Sequence, residues 1–347
     1  MSELKNIKNI PLDQLIKEFK ELGIEGYRAN QVQKWIFQKD ATSFAQMTNI
    51  SKIYRELLEQ NYKIESLKIS HKQVSVDGTK KFLIELIDGE KIETVLIPSE
   101  KRTTLCVSTQ VGCGMGCDFC LTATLGLKRQ LKVYEIIEQI GAVRRDLAEG
   151  EKITNLVFMG MGEPLANPKN LYPALEILLD ENCYNFSRQH VTVSTSGLAP
   201  EIENFGEKTN VKLAISLNAT TDEVRDKVMP INKKYNLERL LEACKNMKLP
   251  KRNCITFEYV MLHGVNDTME DAKRLVKILS KMKAKVNLLP FNDFPGSFYK
   301  RPSEDWVYQF QKYLLDRGFI AVVRRSRGKD ILGACGMLAN KVLKEAS

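Results

Sequence analysis

The feature that most constrains the fold of this 347-residue chain is the alternation of apolar strands and amphipathic helices beyond residue 102. Short apolar runs predict strands at residues 103–108, 155–158, 190–194, 212–217, 254–261, 285–289 and 320–323. Helical periodicity fills the intervals, for example over residues 134–147, 171–179, 237–246 and 269–282. This repetition predicts an α/β fold with a parallel sheet, as an open or partial barrel. The chemistry of such a sheet is expected at the C-terminal ends of its strands.

The first hundred residues have a different pattern. Helical spacing predicts helices over about residues 12–22, 29–38 and 51–59. Two Asp-Gly pairs, at residues 77–78 and 88–89, lie between apolar segments and predict hairpin turns. We therefore expect a small helical accessory domain over residues 1–62, a β-hairpin connection over 63–101, and the barrel over 102–347.

Three cysteines on one tight loop, Cys113, Cys117 and Cys120, indicate the chemistry. Three thiolates can bind three irons of a cubane cluster and leave the fourth iron open to a substrate or cofactor. A structural zinc loop would also use cysteines, but it needs a fourth Cys or His nearby. None of the three histidines of the chain lies near this loop in the sequence. The pattern therefore favours a [4Fe-4S] cluster, one per chain.

The net charge of the chain and its number of cysteines indicate the kind of binding partner and the cellular compartment. The chain has 52 Lys and Arg against 43 Asp and Glu, a net charge of +9, which favours a polyanionic partner such as RNA. Basic residues cluster at residues 128–129, 300–301 and 324–329. Eight cysteines without secretory features indicate reduced thiols. With no membrane-spanning apolar run and no signal-peptide pattern at the start, we expect a cytoplasmic enzyme that does not bind membranes.

Several segments resemble the RlmN/Cfr family of radical S-adenosylmethionine (SAM) RNA methyltransferases. In the cysteine loop, Phe119 stands directly before Cys120, where the radical SAM superfamily has its aromatic residue. The similar segments span nearly the whole chain in order: YRANQVQKW (27–35), CVSTQVGC (106–113), LKRQL (127–131), MGMGEP (159–164), VTVSTSG (191–197), ISLNA (215–219), LPFN (289–292) and GACG (333–336). The resemblance implies a radical SAM barrel of the partial (βα)6 type that methylates a ring carbon of adenine in RNA.

The resemblance also implies how the cofactors are held. Cys113, Cys117 and Cys120 would ligate the cluster, whose open iron would take the amino and carboxylate groups of SAM. The family's SAM contacts match Gly162, Glu163, Ser194, Ser216, Leu217, Asn218 and Asn292. A carboxylate suits the ammonium of the ligand, and a glycine permits a close backbone approach. Position 218 is commonly His in relatives, so the backbone there is expected to matter more than the side chain.

Three further residues match catalytic positions of the family. Cys335, in the C-terminal loop, would accept a methyl group from a first SAM, and a radical derived from a second SAM would abstract a hydrogen from it. The methylene formed would join the protein to adenine. Cys106 would release the RNA through a disulfide with Cys335, and Glu93 would accept a proton. A thiolate, a second exchangeable thiol and a carboxylate form a coherent set for covalent catalysis.

RlmN-like members methylate carbon 2 of adenine, and Cfr-like members add methylation of carbon 8. Pro164, after the Gly-Glu pair, is the RlmN-like residue, whereas Cfr-like members carry Ala, so we expect carbon 2. The implied partners are 23S ribosomal RNA at the peptidyl-transferase centre, tRNA at the adenosine after the anticodon, and a reductant such as flavodoxin or ferredoxin. The chain is expected to act as a monomer. Two alternatives stay open: a carbon-8 methyltransferase, and a non-catalytic, zinc-stabilised RNA-binding protein.

Overall fold

A ten-stranded sheet forms the centre of the computed structural model, which describes residues 4–249, 253–294 and 296–339. The strands are β1 (Lys5–Asn6), β2 (Tyr62–Lys63), β3 (Lys68–Val74), β4 (Lys80–Glu85), β5 (Lys91–Ser99), β6 (Arg102–Cys106), β7 (Gln110–Gly112), β8 (Leu127–Gln130), β9 (Asn155–Phe158), β10 (Val191–Thr195), β11 (Lys212–Ser216), β12 (Ile255–Met261), β13 (Ala284–Pro290) and β14 (Ile320–Val323). The helices are α1 (Leu12–Glu21), α2 (Tyr27–Gln33), α3 (Lys52–Asn61), α4 (Val133–Asp146), α5 (Pro168–Leu179), α6 (Ala199–Lys208), α7 (Asp222–Val228), α8 (Leu237–Asn246), α9 (Met269–Leu279) and α10 (Glu304–Leu315).

The sheet runs in the order β14-β13-β12-β11-β10-β9-β6-β5-β4-β3. The strands from β6 to β14 in this order are all parallel, and helices connect them, so the chain builds six strand–helix units and a last strand. β3, β4 and β5 extend the sheet as antiparallel hairpins. β14 is not paired with the strands at the other end. The α/β fold predicted from the alternating pattern, with a parallel sheet as an open barrel, is therefore confirmed.

The N-terminal helices share one apolar core with the sheet. Leu15, Phe19 and Phe37 belong to the same cluster of buried residues as the sheet strands. A buried ion pair, Lys8 Nζ to Glu138 Oε2 at 2.7 Å, joins the first residues to α4. α4 is itself buried over residues 133–143, as expected for a helix packed on both sides. No helix within the described ranges has the length and apolar character needed to cross a membrane.

The loop after β14 returns across the open side of the barrel to the other end of the sheet. Gly328 N donates to Asp77 Oδ2 at 2.9 Å, and Asp330 accepts from Ser75 Oγ and from Val76 N. Asp77 lies in the turn between β3 and β4. Farther on, Leu121 N donates to Gly336 O at 2.7 Å. The C-terminal loop, residues 324–339, is thus tied both to the first hairpin and to the cysteine loop.

Loss of the Asp77 carboxylate should loosen this loop. Burial raises the pKa of Asp77, but hydrogen bonds from Thr79 and Gly328 outweigh that effect and hold it at about 2. Because the folded pKa lies below the ordinary value of 3.8, this stabilisation is present above about pH 4 and is lost as the pH falls toward 2. At neutral pH, Asp77→Ala should lower the free energy of local opening at Gly328 by about 0.5 to 1.5 kcal/mol, the usual net size for a hydrogen bond whose charged acceptor is still partly exposed to solvent.

Amide hydrogen exchange of residues 324–339 measures this opening. Asp88→Ala is a matched control, because Asp88 accepts from Glu90 N in the next hairpin turn and from Arg129, and neither residue belongs to the C-terminal loop. Equal exchange of Gly328 in both variants would show that Asp77 does not hold the loop.

Candidate active site

A small antiparallel ladder holds the cysteine loop. β7 and β8 pair Gln110 with Gln130 and Gly112 with Leu127, so residues 113–126 form the loop of a hairpin. Cys113 N closes its base by donating to Gly126 O at 2.9 Å. Gly112 has φ +77, and a Cβ atom there would overlap the carbonyl oxygen of Gly126. The glycine before the first cysteine is therefore required for the loop to close.

Gly112→Ala should destabilise this loop strongly. The positive φ costs about 1 to 3 kcal/mol for a residue other than glycine, and the overlap with the Gly126 carbonyl costs about as much again. We expect lower iron content after anaerobic reconstitution and a lower midpoint of chemical denaturation. Gly116→Ala is the matched control, since Gly116 lies in the same loop with a positive φ, but a Cβ atom there would make only an ordinary contact, 3.6 Å from Pro230. Similar losses in both variants would contradict the role given to the Gly112 contact.

A cavity of about 170 Å³ lies at the C-terminal ends of the parallel strands. Its wall contains most of the residues that the resemblance selected: Cys113, Cys117, Cys120, Gly162, Glu163, Ser194, Ser216, Asn218, Asn292 and Cys335. These residues come from separate strand ends and loops across the chain. Of the other candidates, Leu217 is fully buried, and neither Cys106 nor Glu93 belongs to this wall.

Glu163 has a fixed position in this wall. Its Oε1 accepts from Leu165 N at 3.0 Å and its Oε2 from Ser196 N at 2.6 Å. Its own N–H donates to Gln110 Oε1, and a Cβ on Gly162 would collide with the side chain of Gln110. Burial raises the pKa of Glu163, while the two backbone donors oppose the rise. Carboxylate oxygens keep further lone pairs after one hydrogen bond each, so Glu163 can still accept from a ligand ammonium.

A buried arginine that the sequence analysis missed organises the neighbouring strand ends. Arg225, in α7, is fully buried and donates to the backbone carbonyls of Leu217, Ser196 and Ser216 at 2.7–3.1 Å. Burial lowers its pKa to about 10, so it remains charged at neutral pH. Arg225 therefore fixes the backbone that carries Ser216. The sequence gives no signal for this role, since an arginine in a short charged helix is typical of an exposed face.

Among the described residues, Glu258 Oε2 and Asn292 Oδ1 are two of the buried oxygen atoms of the cavity wall that have no hydrogen-bond partner. Asn292 uses its amide nitrogen to donate to Cys335 O at 3.2 Å. The other oxygen of Glu258 accepts from Asn287 Nδ2 at 2.8 Å. Buried polar atoms normally find partners, so both oxygens fit a polar ligand that carries donors, as SAM does. Glu258 was missed, although a carboxylate inside the apolar strand ITFEYVM is a detectable signal.

The three cysteines fit a cluster better than a single ion. Burial raises the pKa of all three thiols, to about 11 for Cys113, and binding of iron would displace their protons. In the described part of the chain, no three His, Cys, Asp or Glu side chains are grouped closely enough to hold one metal ion. A zinc site needs such a convergence, whereas the thiolates of a cubane bind different irons. The geometry therefore does not favour the zinc alternative.

A second cavity, of about 300 Å³, lies beside the first. Cys106 lines only the second, and Cys335 lines both, together with Met159, Asn292 and Arg324. Burial raises the pKa of Cys106 to about 12, with a further rise from Cys335 and an opposing effect of Arg324. Cys335 is exposed by surface area, but the surrounding cavity wall partly desolvates its thiol and raises the pKa of that thiol, against the opposing charge of Arg324. All eight cysteines are free thiols in the described chain, and the buried Cys183 and Cys244 line neither of these two cavities.

Glu93, the proton acceptor implied by the resemblance, does not lie in the wall of either cavity. Its side chain is fully buried, forms an ion pair with Lys81 at 3.0 Å and accepts from Ala339 N at 2.8 Å. A general base must come within hydrogen-bond reach of the proton it takes. In the described conformation the carboxylate instead holds the end of the C-terminal loop, four residues beyond Cys335.

Comparison with known proteins adds to this geometry. The family model described as the radical SAM superfamily matches residues 107–276, and the one described as the ribosomal RNA large subunit methyltransferase N-terminal domain matches residues 5–64. A "Dual-specificity RNA methyltransferase RlmN" of Geotalea uraniireducens is 51% identical over 342 residues, which cover 99% of this chain and 98% of the relative. The protein of the same name in Pelobacter propionicus is 52% identical over 343 residues, with 99% and 98% covered.

A solved structure agrees with these relatives. The crystal structure of a radical SAM methyltransferase from Sphaerobacter thermophilus superposes with a TM-score of 0.90 at 37% identity. The match covers 97% of this chain and 100% of that one. Both the N-terminal helices and the barrel are therefore shared with these proteins over almost their entire lengths. The chain belongs to the RlmN family of radical SAM RNA methyltransferases.

Proposed function

We propose that this enzyme methylates carbon 2 of adenine in 23S ribosomal RNA, at the peptidyl-transferase centre, and in tRNA, at the adenosine after the anticodon. The observation that carries the proposal is the position of Cys335, in a wall common to two cavities. One cavity holds the three loop cysteines and the other holds Cys106. Pro164 and the dual-specificity name of the relatives support carbon 2 and two kinds of RNA.

In this proposal Cys113, Cys117 and Cys120 hold one [4Fe-4S] cluster. Gly162, Glu163, Ser194, Ser216, Asn218 and Asn292 hold SAM, together with the backbone of Leu217, whose side chain lies outside the cavity wall. When bound, these groups supply the methyl group, the reducing electron and the radical that abstracts hydrogen, with two SAM molecules used per turnover. Glu163 binds the ligand ammonium because its carboxylate is already oriented by two backbone donors.

Cys335 carries the methyl group and Cys106 releases the product. Asn292 fixes the carbonyl of Cys335 at 3.2 Å, which orients the residue between the cavities. In the release step a sulfur–sulfur bond forms between Cys106 and Cys335 while the carbon–sulfur bond to RNA breaks. The electron pair of the broken bond passes to the former methyl carbon, which takes up a proton. Because burial raises the pKa of Cys106 to about 12, its thiol is protonated at neutral pH and gives up its proton as the sulfur–sulfur bond forms.

Glu93 accepts the proton that leaves the adenine ring. Its Oε2 is occupied by Ala339 N, so this role requires the end of the C-terminal loop to move away. Lys81 remains the ion-pair partner of this carboxylate, at 3.0 Å. The accessory helices dock RNA, with Arg28, Lys34 and Trp35 on their surface. A flavodoxin or ferredoxin supplies the electron, and the enzyme acts as a monomer.

Mass spectrometry of nucleosides tests the proposal. Ribosomal RNA and tRNA from cells with the gene should contain 2-methyladenosine that is absent when the gene is deleted, and complementation with Cys335→Ala should not restore it. Detection of 8-methyladenosine would instead indicate the Cfr-like reaction. If neither nucleoside depends on the gene, the proposed reaction is wrong.

A further inference from the structure

The second cavity lies at the seam of the open barrel, where β14 faces β5 and β6 without pairing with them. One side is formed by β5 and β6, including Val95, Ile97 and Arg102. The other side is formed by β14 and the residues after it, including Arg325 and Arg327. Since β14 ends the parallel part of the sheet and β6 begins it, this cavity marks the gap in the barrel.

The arginines at this seam differ from most others in the molecule. Elsewhere guanidinium groups contact carboxylates, for example Arg129 with Glu135 at 2.8 Å and Arg145 with Glu138 at 2.7 Å. Arg102, Arg325 and Arg327 are exposed and form no ion pair with any described residue. Only Arg327 has a described side-chain hydrogen bond, a long one of 3.5 Å to Asp77 O. Both sides of the seam thus present guanidinium groups that form no ion pair with a described residue.

The wall between these charges is apolar and leads to the reacting thiols. Val95, Ile97, Leu289 and Leu338 contribute to it, and Cys106 and Cys335 lie in the same wall. A volume of about 300 Å³ is at the lower end for ligand sites and fits one small planar group. A base that reacts with Cys335 must leave its stack to reach it.

We propose that the seam binds the target nucleotide of RNA from the side, with Arg102 on one side and Arg325 and Arg327 on the other holding the phosphates before and after it. Arginine suits this task because its planar guanidinium can donate two hydrogen bonds to one phosphate. The apolar wall receives the base. This inference rests on the proposed reaction with RNA and adds the surface that positions the substrate.

RNA affinity as a function of salt tests the seam. The probe is a labelled synthetic RNA hairpin with one adenosine in its loop, bound to the reconstituted holoenzyme. Arg102→Gln, Arg325→Gln and Arg327→Gln should each reduce the slope of log affinity against log salt by about 0.7, and the triple variant by about 2. The same shifts should appear with uridine in place of the adenosine, because phosphate contacts do not read the base.

Arg188→Gln is the matched control, because Arg188 is also exposed and unpaired among described side chains but belongs to neither wall. It should keep the wild-type slope, and iron content and circular dichroism verify that every variant is folded. If the seam variants have the same salt slope as Arg188→Gln while the wild-type enzyme methylates RNA, the proposed binding of RNA at the seam is wrong and the proposed function stands. A wild-type enzyme that neither binds nor methylates RNA would overturn both.

Discussion

Cys106→Ala protein purified from cells should carry covalently attached RNA, visible as excess mass that nuclease removes. In this variant the methylene on Cys335 can still join the base, but the second thiol in the same cavity wall is gone. The carbon–sulfur bond then has no partner sulfur with which to exchange. Methylation should fall to background, because each molecule stops after a single adduct.

Two further variants separate this explanation from a structural effect. Cys335→Ala and the double variant should carry no RNA, because the carrier of the methyl group is missing. Cys244→Ala controls for the loss of a buried thiol, since Cys244 lies in α8 and lines neither cavity. An inactive Cys106→Ala protein without RNA would make Cys106 a packing residue and leave the two-thiol mechanism unsupported.

Replacement of any one of Cys113, Cys117 and Cys120 by Ala should abolish reductive cleavage of SAM and remove most of the iron. All three thiols line one cavity, and the three histidines of the chain are not in its wall, so no described histidine can replace a lost ligand there. Iron and sulfide analysis after anaerobic reconstitution, with the visible absorbance of the cluster, measures the loss.

Cys254→Ala is the control here, because Cys254 is a half-buried free thiol outside both cavities. It should retain the iron content and SAM cleavage of the wild type. A loop variant that held a complete four-iron cluster would contradict the assignment of these cysteines.

The sequence predicted the strands well where periodicity is strong. The runs at 155–158 and 320–323 match β9 and β14 residue for residue, and the other strands of the parallel sheet differ by one or two residues at their ends. Both Asp-Gly turns are present, with Gly78 and Gly89 at positive φ. The predicted ends of the helices were less accurate. For example, α9 ends at Leu279, with Ser280 as its C-cap, whereas the sequence predicted an end at residue 282.

Only some residues of the active site could be predicted from the sequence, and the reasons are physical. Motif residues at strand ends converge because parallel strands present their C-terminal ends to one edge, so Glu163 and Asn292 could be placed together. Arg225 could not, since its partners are backbone carbonyls, which every residue carries and no side-chain pattern marks. The burial of Glu93 depends on Lys81 across a hairpin and on Ala339 at the far end of the chain, contacts that no local pattern encodes.

The C-terminal loop joins two ends of a sheet that do not pair, and this arrangement has a topological consequence. A ring of strands closed by backbone hydrogen bonds would admit a polymer only by threading a free end. Here the ring is closed by contacts of the C-terminal loop, those of Gly328 and Asp330 with residues 75–77 and that of Ala339 with Glu93 in β5. These contacts can separate without breaking any strand pairing. A polynucleotide could therefore be taken up sideways at an internal position, with both of its ends far away and engaged elsewhere.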